Sequence, residues 1–339
     1  MLPNTPDKLG RPLRDLRISL TDRCNFRCSY CMPENVRFQD KSQLLRFEEI
    51  ELIVQAATQL GVEKIKITGG EPTLRADLDI LIAKLLQNPA IRDLGLITNG
   101  WYLKAQGEKL YRAGLRRISV SLDALDNRVF RKIVGTMYRY NVEPILEGLA
   151  HMESLGFSPI KINSVIQRGL NEDQILPLVE YFAKPGYHLR FIEFMDVGAV
   201  RWQGSKVVSS QEIYEIICAK YPLQAKESAY YGEVARRYTL GDMSNTEIGF
   251  ISSVSEPFCK SCTRLRLSSD GTIYGCLFSG KGFPLKPILR DSGLTETRQI
   301  AKIRKALAQF WSRRDDRYSE LRGELSEPPP RENMHFMGG

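Results

Sequence analysis

The sequence has no run approaching ~18 consecutive apolar residues, so no membrane-spanning helix is expected. Its first ten residues are polar, which argues against a secretory signal. No long basic block occurs. Lys and Arg nevertheless outnumber Asp and Glu by 48 to 40, a formal net charge of +8. That excess favours a phosphate-bearing small molecule over nucleic acid. Low-complexity tracts are lacking too. With 42% hydrophobic and 26% charged residues, the 339-residue chain reads as one large globular domain or two fused ones. A secreted disulfide scaffold would be shorter and denser in cysteine. The seven cysteines are odd in number, and six fall in two tight groups, Cys24, Cys28, Cys31 and Cys259, Cys262, Cys276. Grouped thiols without an export signal point to metal or iron–sulfur ligands in a reducing cytoplasm.

From Asp15 to about Asp196, strand-like and helix-like segments alternate. Short Ile/Leu/Val-rich strands are expected at Leu16–Leu20, Lys64–Thr68, Asp93–Thr98, Arg117–Leu122, Ile160–Ile166 and His188–Phe194. Helices are expected at Phe47–Leu60, Asp77–Leu86, Lys104–Ala113, Val142–Leu155 and Ile175–Phe182, and Gly61, Gly114 and Gly156 stop three of them. This rhythm implies a parallel sheet with helices outside, better as an open or partial β/α barrel than as a flat sheet. After Gly198 the rhythm changes. A helix is expected at Ser210–Lys220, a strand at Glu247–Val254, a hairpin around Ser269-Asp270-Gly271 and a helix at Gln299–Arg313. The expected divisions are 1–198, 199–322 and a tail, 323–339, ending Gly338-Gly339.

The first cysteine group has the spacing Cys-x3-Cys-x2-Cys and follows the first strand at its carboxyl end, where β/α folds place chemistry. Three thiolates can hold three irons of a cubane and leave the fourth open. A structural zinc would want a fourth ligand, and no His or Cys stands nearby. Spacing and position resemble the radical S-adenosylmethionine superfamily, in which S-adenosylmethionine chelates the open iron and yields a 5′-deoxyadenosyl radical. The resemblance implies that Tyr30 lies at the adenine. The second strand runs into Gly69-Gly70-Glu71-Pro72, which resembles the superfamily motif contacting the amino group of S-adenosylmethionine. Glycines there allow close backbone approach. Ser121 and Met195, at the ends of the fourth and sixth strands, are further candidate contacts.

In the second group, Cys259-x2-Cys262 precedes Cys276, which the hairpin folds back toward it. Structural zinc and a second iron–sulfur cluster both fit three such ligands. Cys218, in an apolar helical pattern, reads as a buried free thiol. Between the ligands, period two puts Arg264 and Arg266 on one strand face, where paired guanidiniums suit phosphate.

Together these features resemble the molybdenum cofactor biosynthesis protein A family, the GTP 3′,8-cyclases, over nearly the whole chain. The resemblance implies an incomplete β/α barrel with a C-terminal extension carrying a second cluster, two [4Fe-4S] clusters and S-adenosylmethionine as cofactors, and usually a homodimer. It implies abstraction of the ribose C3′ hydrogen of GTP and attack on guanine C8. The product then passes to a separate cyclic pyranopterin monophosphate synthase, and an electron donor is needed. By motif, Cys24, Cys28 and Cys31 would hold one cluster, and Cys259, Cys262 and Cys276 the other. Tyr30, Gly70, Ser121 and Met195 would meet S-adenosylmethionine. Arg17, Lys66, Lys161, Arg190, Arg264 and Arg266 would meet GTP, and Gly338 and Gly339 would reach into the site. Two positions depart from the family pattern: Lys66 stands where the motif has arginine, and Ile97 where it has threonine. Lysine keeps the charge but loses the bidentate fork. A radical enzyme acting on a peptide or RNA, and a non-catalytic zinc or iron–sulfur protein, are the alternative readings.

Overall fold

Alternation of apolar and polar residues builds the framework of the computed structural model, which describes residues 6–33, 35–135, 139–197, 202–241, 243–324 and 331–338. Strands β1 (Asp15–Ser19), β2 (Lys64–Thr68), β3 (Asp93–Thr98), β4 (Arg117–Ser121), β5 (Ile160–Ile166) and β6 (Tyr187–Glu193) are parallel neighbours in chain order. Helices α1 (Phe47–Thr58), α2 (Leu78–Leu86), α3 (Leu103–Arg112), α4 (Asn127–Val134), α5 (Glu143–Ser154) and α6 (Ile175–Phe182) connect them. The six strands and five helices expected from periodicity are all present; α4 was not foreseen.

The outward strand positions, such as Leu16, Ile65, Val120, Ile162 and Phe191, are fully buried under the helices. The inward positions include Arg17, Lys66, Ser121, Lys161, Asn163 and Arg190 and remain partly accessible. A closed eight-stranded barrel fills its interior with branched apolar side chains. This interior is hollow, and cations stand in its wall among apolar side chains such as Ile97, Val165 and Ile192.

The C-terminal region contributes α7 (Ser210–Cys218), β7 (Leu223–Lys226), β8 (Arg236–Leu240), β9 (Met243–Ile251), β10 (Arg264–Leu267), β11 (Thr272–Tyr274) and β12 (Phe283–Pro284). Helices α8 (Lys286–Leu289), α9 (Glu296–Ser312), α10 (Tyr318–Leu321) and α11 (Met334–Met337) complete it. The expected hairpin is β10–β11. The strand expected at Glu247 begins earlier, at Met243.

Sequence did not indicate where these strands pair. β9 lies parallel beside β6, and β10 lies parallel beside β1. The described strands form one sheet of 12 in the order β12-β11-β10-β1-β2-β3-β4-β5-β6-β9-β8-β7. β1 and β6 are not neighbours, so the barrel is open, and the C-terminal strands extend both of its edges. The expected division at 198/199 lies outside the described residues. So do 325–330 and Gly339 of the tail. The tail's described portion carries α11, which packs against β1.

Candidate active site

One cavity of about 320 Å³ occupies the barrel interior, and all six grouped cysteines line it. The first group sits on the loop leaving β1. That loop is strapped from both sides. Gly70 N donates to Thr21 O at 2.7 Å and Glu71 N to Arg23 O at 2.8 Å. A Cβ at Gly70 would stand 2.3 Å from Arg23 O, so only glycine permits this contact. The glycine pair therefore serves the approach of one loop to another. From the other side, Arg27 N and Ser29 N donate to the carbonyls of Val134 and Ile133 at the end of α4.

Glu71 is the buried hub of this end of the barrel. Its carboxylate accepts from Thr73 N, from Thr98 Oγ1 at 2.7 Å and from Asn99 N at 2.7 Å. Burial pushes the carboxyl up, and those donors oppose the shift. Asn99 Nδ2 in turn reaches Asn25 Oδ1 at 2.8 Å and Cys24 Sγ at 3.8 Å. Tyr30 lines the cavity, and its hydroxyl donates to Asp123 Oδ2 at 2.7 Å. Burial raises Asp123 to about 6. Burial also raises Cys24 and Cys31 to about 12, and Cys28 in the same direction.

The second group lines the same cavity from the C-terminal region: Cys259 and Cys262 stand just before β10, and Cys276 just after β11. Here the electrostatics differ. Burial opposes the thiolate of Cys262, but Arg264 and Arg314 outweigh it and bring the thiol down to about 6. Burial raises Cys276 to about 11 and pushes Cys259 up as well. Cys218 ends α7, outside the cavity lining.

The cations converge by register. Arg266, Arg17, Lys66, Gly95 and Arg117 occupy one row across β10, β1, β2, β3 and β4. Burial and the neighbouring Arg264 lower Arg17 to about 10. Burial, then the neighbouring arginines, holds Arg266 well below its ordinary value. Lys66 Nζ lies 3.4 Å from Asp93 Oδ1, and Arg117 Nη1 lies 2.6 Å from Asp93 Oδ2. Burial lowers Lys66 to about 8. Arg264 and Arg190 also line the cavity. Lys161 is not among the lining residues, yet burial and the charges of Arg190, Arg117 and Lys66 lower it to about 7. Cations that repel one another out of water favour an anion between them.

Gly70, Ser121 and Met195 line the same cavity, and so does Ile97 with its apolar side chain. Gly338 is buried, and its carbonyl accepts from Arg266 Nη1. At φ +73° and with Thr68 Cγ2 only 2.4 Å from where a Cβ would lie, glycine is required there. Gly339 lies outside the described residues. Sequence reasoning missed Asn99, Asp123 and Arg314. Asn99 could have been found from its place in Thr98-Asn99-Gly100 after a strand. Arg314 had no local signal. Among the described residues, no three His, Cys, Asp or Glu side chains converge tightly enough to hold one metal ion.

Comparison with known proteins agrees with this architecture. Residues 18–182 match the family model of the radical SAM superfamily, and residues 187–320 match that of the molybdenum cofactor synthesis C domain. The GTP 3′,8-cyclase of Staphylococcus carnosus (strain TM300) is 48% identical over the whole of both chains. That of Staphylococcus aureus (strain N315) is 47% identical, again over both whole chains. Among solved structures, Streptococcus suis SuiB bound to S-adenosylmethionine superposes with a TM-score of 0.60 at 16% identity. The superposition covers 96% of this chain and 77% of SuiB, a likeness of fold. With full-length identity near one half, two matched family models and an open barrel whose mouth carries the Cys-x3-Cys-x2-Cys loop, the chain belongs to the GTP 3′,8-cyclase family of the radical SAM superfamily, an iron–sulfur and S-adenosylmethionine-dependent enzyme family.

Proposed function

We propose that this enzyme converts GTP to (8S)-3′,8-cyclo-7,8-dihydro-GTP, the first step of molybdenum cofactor biosynthesis. The observation that carries the reading is the shared cavity: two thiol triplets and the cations Arg17, Lys66, Arg190, Arg264 and Arg266 line one volume. The donor set fits iron–sulfur clusters. All six thiols are free and partly buried, and none belongs to a disulfide. A cubane takes each thiolate on a different iron, so it needs thiols around a volume and not around a point.

Cys24, Cys28 and Cys31 would hold one [4Fe-4S] cluster, with S-adenosylmethionine against Tyr30, Gly70, Ser121 and Met195. Cys259, Cys262 and Cys276 would hold a second. When bound, the first cluster and S-adenosylmethionine supply the abstraction of hydrogen from ribose C3′. The chain's own residues bind, orient and shield. Arg17, Lys66, Lys161, Arg190, Arg264 and Arg266 would gather the triphosphate, whose charge of about −4 calls for several convergent cations. Fixed in this way, the ribose and base are held for closure of the C3′–C8 bond. Gly338 and Gly339 would reach into the site and steer radical initiation; at Gly338 there is no room for a side chain. The paired arginines and the cation row favour GTP over a peptide or RNA.

The same reading implies a homodimer, an electron donor and onward transfer of the product to a cyclic pyranopterin monophosphate synthase. It also implies a cytoplasmic setting. None of the described helices is long and apolar enough to cross a membrane. The test is isotopic. GTP deuterated at C3′ should pass its deuterium to 5′-deoxyadenosine, whereas GTP deuterated at C2′ should not. Absence of transfer from C3′ would remove the proposal.

A further inference from the structure

Asp196 follows Met195 at the exit of β6 and is buried. Three side chains from beyond the barrel close on it. Tyr318 Oη donates to its carboxylate, and Arg322 Nε does so at 2.9 Å. Arg331 Nη1 donates to the carboxylate at 2.9 Å and also to the Asp196 carbonyl. Arg331 Nη2 reaches back to Tyr318 Oη at 3.2 Å. Burial opposes ionisation of Asp196, but these donors hold its carboxyl below the ordinary range.

The same junction touches the second cysteine group. The Tyr318 ring lies 4.7 Å from that of Phe278, two residues beyond Cys276. The Arg331 guanidinium lies 5.0 Å from the Tyr318 ring centre, and that of Arg322 lies 5.4 Å from that of Phe278. An exposed ion pair contributes little, because water competes for both partners. Here the pairs are largely shielded: Asp196, Arg322 and Arg331 side chains are 9%, 12% and 11% exposed. Charge-assisted bonds in such a setting fix geometry.

Arg331 opens the segment that ends at Gly338, whose carbonyl meets Arg266 inside the barrel. One end of the segment is therefore tied to Asp196 and the other to a cation of the site. We infer that Asp196 is a positioning residue: by holding Arg331 it sets how residues 331–338 cross the barrel mouth, and so where Gly338 meets Arg266. Asp196 acts through the tail and touches no reacting atom. The catalytic consequence rests on the cyclase reading; the placement of the tail does not.

The experiment uses the anaerobically reconstituted holoenzyme and the variants Arg331→Met, Arg331→Lys and Asp196→Asn. Hydrogen–deuterium exchange is followed in the C-terminal peptide, alongside iron content and the kcat and KM of GTP cyclisation. In Arg331→Met, exchange over 333–338 should accelerate about tenfold or more. The kcat should fall by about tenfold or more, with iron content and the KM for S-adenosylmethionine unchanged. Arg331→Lys should recover part of both losses, and Asp196→Asn should reproduce them. If Asp196→Asn fails to fold, Arg331→Met still decides, because it removes only the tail's side of the contact. Unchanged tail exchange in Arg331→Met overturns the inference, and so does accelerated exchange with wild-type kcat. If the wild-type enzyme forms no cyclised GTP, the cyclase reading fails, while the exchange comparison still decides how the tail is held.

Discussion

Arg314 Nη2 stands 3.2 Å from Cys262 Sγ, and the same guanidinium pairs with Asp7 through Nη1 at 2.9 Å. A residue just past α9 thus joins the N-terminal segment to the second cysteine group. Arg264 adds its own charge to the same sulfur. The two arginines make Cys262 the acidic thiol of its group, whereas burial governs Cys259 and Cys276.

Replacing Arg314 should undo this. In iron-free Arg314→Met, the Cys262 thiol should rise from about 6 toward its ordinary value. Its thiolate fraction at neutral pH then falls, and alkylation should slow by up to about tenfold. Peptide mass spectrometry after timed alkylation measures this directly. Iron retained by the second group after reconstitution should fall in parallel.

Gly70→Ala tests the clamp between the two loops. The added methyl would lie 2.3 Å from a backbone oxygen, which has no flexible side chain to give way. The expected cost is about 1–3 kcal/mol in urea unfolding. The first cysteine group should also bind less iron than the second.

The half-buried lysines Lys66 and Lys161 predict a pH dependence. In the free enzyme Lys161 is brought down to about 7 and Lys66 to about 8, chiefly by burial. The unfolded chain keeps its lysines protonated to about 10.4, so it holds more protons between those values. Stability should therefore rise with pH over that window. A bound triphosphate favours the charged forms, so GTP binding should take up protons there and weaken as pH rises. Calorimetry at pH 8 in buffers of different ionisation enthalpy should register uptake of about one proton, reduced in Lys161→Met. An uptake of zero would contradict the assignment of these lysines to the triphosphate.

Asn99→Ala should loosen the first group without touching a thiol. It removes the side-chain bond to Asn25, the bond that Asn99 Oδ1 accepts from Trp101 N and the contact with Cys24 Sγ, while its backbone bond to Glu71 remains. A loss of about 1 kcal/mol in stability is expected. The spectrum of the first cluster should change, and that of the second should not.

The sequence made much of this legible because period two and glycine stops are local signals. β2, β3 and β5 fall where the Ile/Leu/Val runs put them, and both cysteine groups and the two arginines of β10 were visible as spacing. What failed to appear was non-local. Nothing near Arg264 signals that β10 would lie parallel to β1, yet that pairing sets Arg266 beside Arg17. α4 did carry a local signal: Asp126 caps it by accepting from Arg128 N and Val129 N, and Gly135 ends it. Its short amphipathic run was overlooked between longer helices. Arg314 and Asp196 gain their meaning only from partners far along the chain, at Asp7 and Arg331.

GTP as the substrate of radical chemistry can be tested directly by the release of 5′-deoxyadenosine. The enzyme should be reconstituted anaerobically, reduced and given S-adenosylmethionine, and 5′-deoxyadenosine measured with and without GTP. 5′-Deoxyadenosine should rise with GTP, and a GTP isomer of unchanged mass should appear alongside it. Formation of 5′-deoxyadenosine regardless of GTP, with no isomer, would contradict GTP as the substrate.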